Sequence, residues 1–184
     1  MVAGRPIAFV GRNRFAWASA LLVAVSALGC GDDAKPGPTP SGGAVASAAL
    51  PDALALAAEP AGAQPIGAIV ASLNGSATVV ASGRVGVEGK DAAYFSLVDP
   101  SQKACTDMGD ECKTPWDYCC TPPDVMSKQS ATVEFRVGGQ LVGTSVLGFH
   151  GLDHLKDVVV TGTAKKDSTG NVTIEASGIW VKSP

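Results

Sequence analysis

The chain lacks any excess of positive charge. Lys and Arg number 14 against 17 Asp and Glu, a net charge of −3. Proteins that track phosphate backbones need a clear basic surplus, because release of phosphate counterions supplies most of their affinity. Nucleic acid is therefore not an expected partner, and the adjacent Lys165 and Lys166 read as a solvated turn. The common catalytic signatures are lacking too. There is no G-x-S-x-G elbow, no phosphate-binding glycine loop and no dinucleotide-binding glycine pattern. His150 and His154 are four apart, but no Glu follows His150, so the H-E-x-x-H arrangement of a zinc hydrolase is not formed. No C-x-x-C redox pair occurs, and the acidic residues nowhere take EF-hand spacing. The expectation is a protein that is not an enzyme and carries no cofactor.

Long apolar runs are missing as well. The uncharged stretch 15–29, rich in Ala, Leu and Val, falls short of the roughly 20 residues that a membrane-crossing helix needs. Arg5, Arg12 and Arg14 precede it, and Ala27, Leu28 and Gly29, with small residues on either side of the leucine, lead into Cys30. A basic start, a short apolar core and small residues at the cut define an export signal. With a cysteine directly after the cut, it resembles the lipobox of bacterial lipoproteins. That resemblance implies cleavage before Cys30 and a diacylglycerol on its sulfur, hence a chain held in the bacterial cell envelope and facing the periplasm or the exterior. Each buried methylene adds about 0.8 kcal/mol, so two or three acyl chains hold a protein on the membrane where one does not. The alternative is an ordinary signal peptide cut elsewhere, with Cys30 an unmodified thiol.

Residues 30–65 are dominated by Ala, Gly, Pro and Ser. Such a stretch buries too little apolar surface to offset its ordering entropy, and it reads as a lipidated N-terminus followed by a disordered tether. Residues 66–184 remain, enough for one domain with its own core.

Five β-like segments follow one another in that domain: 78–87, 93–98, 131–137, 157–164 and 171–181. Val133, Phe135 and Val137 alternate in the third, and Val172, Ile174 and Ala176 in the fifth, the period of a half-buried strand. Gly178 then shifts the phase, which predicts a bulge. Gly83, Gly86 and Gly162 suit sharp bends. Ahead of the strands, Ile66, Ile69, Val70 and Leu73 have the spacing of one short helix. The strand order, with the runs 82–86, 94–99 and 158–163, looks like an oligonucleotide/oligosaccharide-binding (OB) fold. The resemblance implies a small, mainly β, five-stranded Greek-key barrel with a short helix and a cysteine-rich loop. An immunoglobulin-like sandwich would want about seven strands.

That loop lies between the second and third segments and holds Cys105, Cys112, Cys119 and Cys120. Two disulfides are the first expectation, because an even cysteine count outside the cytoplasm usually forms bridges. A Cys119–Cys120 bond would be strained, since adjacent Cα atoms lie only about 3.8 Å apart. That leaves Cys119 and Cys120 joined to Cys105 and Cys112 in either order. The alternative is a metal site built from the four thiolates, with His150 and His154 as further candidate ligands. Asp107, Asp110, Glu111, Asp117 and Asp124 make the loop acidic, which reads as solvation. Trp116 and Tyr118 are either an exposed recognition knob or a cap on the open end of the barrel. The run 114–120 resembles a stretch of uncharacterised exported bacterial proteins, which implies no activity. The functional expectation is an envelope lipoprotein whose barrel binds an envelope protein or a small ligand, with a periplasmic metal-binding protein as the alternative.

Overall fold

The structure is a computed structural model that describes residues 49–183, residues 110 and 115 excepted. The export signal, Cys30 and the first part of the expected tether lie outside the described residues. The elements run in the order β1 (Gln64–Pro65), α1 (Ile66–Ser72), β2 (Ser76–Glu88), β3 (Tyr94–Val98), α2 (Pro123–Gln129), β4 (Ser130–Glu134), β5 (Arg136–Val137), β6 (Gln140–Leu141), β7 (Asp157–Lys166) and β8 (Val172–Val181).

Five of these strands close on themselves. The pairing runs β2–β3–β4–β8–β7 and returns from β7 to β2. Every pair in the ring is antiparallel except β4 with β8. This is the mainly β, OB-like Greek-key barrel expected from the strand pattern. Closure depends on β2, which is long enough to pair with β7 from Ser76 to Arg84 and with β3 from Arg84 onward. Gly83 sits where it changes partner. A Cβ there would lie 2.7 Å from the Val98 carbonyl and 2.8 Å from the Leu97 side chain, so only glycine lets the strands approach this closely.

Alternation places the core. Ala131 and Val133 of β4 and Val172, Ile174 and Ala176 of β8 point inward and are buried. In β8 the register then slips: Thr161 pairs with Gly178 and Gly162 with Ala176, which leaves Ser177 as the extra residue of a bulge. The bulge turns Ile179 inward, where it is 1 % exposed. It stands where the phase change at Gly178 predicted it.

Three elements depart from the sequence reading. The third strand ends at Glu134 rather than 137. Phe135 still turns inward, with its N–H donated to the Ala93 carbonyl and its own carbonyl accepting from Val142. The chain then leaves the barrel as the β5–β6 hairpin around Gly138 and Gly139, both at positive φ, and Val137 is exposed. Helix α2 was read as loop. Pro123 opens it, a position where the missing N–H costs nothing, and the Ser130 hydroxyl closes it by donating to the Met126 carbonyl.

The third departure is the boundary of the folded part. Leu50, Leu54, Ala55, Leu56 and strand β1 lie against the barrel, although they fall in the stretch expected as tether. Leu50 is buried in the core, and Leu54 packs against it. Leu56 donates its N–H to the Ile179 carbonyl, and Ala55 bridges Ile179. Composition hid this because three spaced leucines in an Ala-rich stretch carry no periodic signal. They bury surface only against an already formed strand.

Helix α1 forms as its apolar spacing predicted, with Ile66, Ile69 and Val70 buried. Its first turn is pinned by Asp99, at the end of β3, whose carboxylate accepts from Gly67 N–H at 2.9 Å and Ser101 N–H at 3.0 Å. Burial opposes ionisation of Asp99, but the bonds from Ser101 and Gly67 outweigh it and hold the carboxyl below the usual carboxylate range. At the other end of α1, Lys166 Nζ donates to the Val70 carbonyl at 2.7 Å, where a cation suits the helix dipole. Among the described residues no helix is long and apolar enough to cross a membrane.

Candidate metal centre

The loop between β3 and α2 has little regular structure, so its shape comes from a few specific bonds. Cys105 opens a 3-10 turn, Cys105–Met108. The carboxylate of Asp107 reaches back to accept from Ala104 N–H at 3.0 Å, which caps the turn. Gly109, at φ 73, ends it in the left-handed conformation. The second arm of the loop returns beside the first, with Cys105 N–H donated to the Asp117 carbonyl at 2.9 Å. Asp117 N–H bonds to the Thr114 carbonyl and Thr121 N–H to the Tyr118 carbonyl, so the second arm is two successive tight turns. These bonds fold Cys112, Cys119 and Cys120 back over Cys105.

The loop is fastened to the barrel at three points. Arg84, on β2, meets Asp107 at 2.6 Å and donates Nε to the Leu155 carbonyl at 3.5 Å. Burial disfavours the charge on Arg84, but Asp107 outweighs it and raises the guanidinium further above its usual value. The Arg84 bond in turn holds Asp107 below the usual carboxylate range. Tyr118 is buried with Val98 and Ala104, and Met126 and Leu155 pack around them. Desolvation raises its phenol above the ordinary value. Trp116 stacks on His154 with ring centroids 4.6 Å apart and planes inclined by 19°, while His154 Nε2 lies 2.6 Å from Glu88 Oε2. The pair does not form an exposed knob, since Tyr118 is buried and Trp116 lies on His154.

The four sulfurs converge. Cys105 Sγ is 3.3 Å from Cys119 Sγ and 3.9 Å from Cys120 Sγ. Cys119 Sγ is 3.6 Å from Cys112 Sγ and 4.0 Å from Cys120 Sγ. All four lie within 4.8 Å of one another. The expected pair of disulfides is not formed. A disulfide brings two sulfurs to about 2.05 Å, whereas the recorded separations here run from 3.3 to 4.0 Å and none is a bonding distance. Four thiolates about 2.3 Å from a tetrahedral zinc ion would stand about 3.8 Å from one another. The observed spacing straddles that value. Sequence spacing argued against this arrangement, because C-x6-C-x6-C-C has no C-x2-C knuckle. The turn at Cys105 and the two turns of the returning arm do the work of the knuckles instead.

Chemically the cluster is graded. Cys105 is fully buried, Cys112 is half-exposed, and Cys119 and Cys120 are exposed. The hydrogen bond from Cys119 holds the Cys105 thiol below its ordinary value, with the Cys120 backbone and the other thiols adding to it and burial opposing. Hydrogen bonds with Cys119 and Cys105 push Cys112 up to about 12. The Cys105 thiolate is therefore favoured and ionisation of Cys112 is disfavoured. A divalent cation reverses that, because each bound thiolate must lose its proton.

The two histidines stand apart from the sulfurs and from each other's chemistry. His150 sits at φ 47 in the 3-10 turn Phe149–Gly151, with Nε2 3.1 Å from Asp52 Oδ1. His154 is engaged by Glu88 and Trp116. The two candidate histidine ligands do not join the sulfurs: the turn holding His150 is broken by its left-handed backbone, and the grouping of metal-binding atoms among the described residues contains the four cysteines alone. Asp107 and Asp117 are spent on the loop's own architecture. Arg84 was missed as part of the site. Nothing near it in sequence marks it, since its role arises only when β2 passes under the loop. No protein-family model matches this chain, and no curated protein matches it.

Proposed function

We propose that this chain is a lipid-anchored envelope protein whose non-catalytic barrel domain carries a four-thiolate metal centre on the loop between β3 and α2, with zinc as the cation. The convergence of four sulfurs within 4.8 Å carries this reading. A tetrahedral all-sulfur set selects zinc or iron–sulfur chemistry among the common metals, and four protein ligands leave no open position for a reacting water, as in structural rather than catalytic zinc sites. The barrel supplies the rigid support. Arg84 orients Asp107, Asp107 caps the turn, and the turn presents Cys105, so the buried ligand is fixed by partners outside the coordination sphere. The export signal with Cys30 supports the anchoring half of the proposal.

The metal half is tested on protein purified under reducing conditions. Equimolar zinc should bind, and cobalt(II) in its place should give the visible bands of a tetrahedral tetrathiolate site. Zinc below a tenth of an equivalent after loading, with all four thiols reduced, would rule the centre out. The anchoring half is tested separately. Cys30→Ser should release the protein from membranes with its barrel intact, because the acyl chains attach at that sulfur. A variant that still sediments with membranes after a high-salt wash contradicts the lipid anchor.

A further inference from the structure

We propose that the same four-sulfur cluster is an oxidation site: a low-molecular-weight disulfide converts Cys105 and Cys119 into an intramolecular disulfide and expels the metal. The inference rests on the metal reading above and adds to it a chemical input. Three observations carry it. Cys105 and Cys119 are, at 3.3 Å, the nearest of the recorded sulfur pairs, and a displacement of little more than 1 Å brings them to bonding distance of about 2.05 Å. They differ in access, since Cys119 is exposed and Cys105 buried, so an outside reagent meets Cys119 first and Cys105 is placed behind it. They also differ in attachment. Cys105 is held by the capped turn and by its own backbone bond to Asp117, whereas Cys119 is an exposed residue of the returning arm, held through its buried neighbour Tyr118. The vicinal alternative, Cys119 with Cys120, is the widest of the recorded separations at 4.0 Å and is disfavoured by the short Cα spacing of neighbours.

The step balances. The Cys119 thiolate attacks one sulfur of the incoming disulfide, forms a mixed disulfide and releases one thiolate. The Cys105 thiolate then attacks the Cys119 sulfur, forms the internal bond and releases the second thiolate. Two electrons pass from the cysteine pair to the reagent, which leaves as two thiolates. The cation keeps only Cys112 and Cys120 as ligands and dissociates. In a compartment where disulfides form and persist, the cluster would thus exist in two forms, one holding metal and one cross-linked.

The experiment uses the zinc-loaded, reduced protein and oxidised glutathione, with free zinc followed by a chromophoric chelator and the bonds by peptide mass mapping. Zinc should appear in step with the Cys105–Cys119 bond, ion for bond, and dithiothreitol should restore binding. Cys120→Ser, loaded to whatever level it reaches, should still form the same bond. Zinc retained with all four thiols intact, or zinc released with the bond at a different pair, overturns the oxidation site and leaves the metal centre standing. A reduced protein that takes up no zinc sinks the metal reading and this inference with it.

Discussion

Phe135→Ala is expected to lower the unfolding free energy of the barrel by about 3–5 kcal/mol, the usual cost of emptying an aromatic core site. The ring is fully buried and meets Phe95 with centroids 6.2 Å apart. Its backbone closes the barrel wall at both sides, through the Ala93 carbonyl and the Val142 N–H. Truncation leaves a void in the barrel interior beside Phe95 that the closed sheet cannot collapse, because β3 and β4 are hydrogen-bonded on either flank. Denaturant unfolding measures the effect. A change below about 1 kcal/mol, well under the core-truncation range, would mean that the site relaxes or that Phe135 is not a core residue. Tyr94, one place along from Phe95 on β3, is the internal control. It is 37 % exposed, and its replacement by alanine should cost far less.

The barrel was legible in the sequence because its signals are local. Period-two alternation in β4 and β8 marks one face of each strand, glycines mark the bends, and the phase change at Gly178 marks the bulge. Closure through a shared long strand follows once five such segments are ordered. What was not legible depends on contacts between distant segments. Leu50 and Leu56 have no pattern of their own and acquire a role only against the core and Ile179. Helix α2 follows two prolines, and its sequence has no apolar stripe to mark it.

The convergence of the four cysteines is hidden in the sequence for a related reason. Counting cysteines and naming a compartment gives disulfides, and the spacing lacks the knuckles by which zinc sites are recognised. Neither argument contains the turn geometry that brings Cys105 under Cys119. That geometry comes from Asp107 and Arg84, which sit 23 residues apart in the chain. The acidic composition of the loop reads as solvation, but Asp107 has another role. Its charge is matched by Arg84 at 2.6 Å, and its value lies in orienting the turn.

Cys105→Ser is accordingly expected to weaken zinc binding more than any other single change in the loop. It removes the one fully buried sulfur. A serine hydroxyl there keeps its proton and offers a hard oxygen in place of a soft thiolate. The remaining three ligands are the more exposed ones, on an arm anchored through Tyr118 and the Trp116–His154 stack. Asp107→Ala provides the comparison. It leaves all four sulfurs but frees the turn from its cap and from Arg84, and loss of such an outer partner costs roughly 10- to 100-fold in metal affinity. Competition with a chromophoric chelator orders the variants. The expected ranking is wild type tightest, Asp107→Ala weaker within that range, and Cys105→Ser weaker still. Circular dichroism of each apo variant shows that the barrel itself survives, since Cys105 lies outside the main core group of buried side chains. If Cys105→Ser binds zinc as tightly as the wild type, the metal is not held by this cluster. If Asp107→Ala is indistinguishable from wild type while Cys105→Ser is not, the sulfurs hold the metal but the clamp from β2 does not position them.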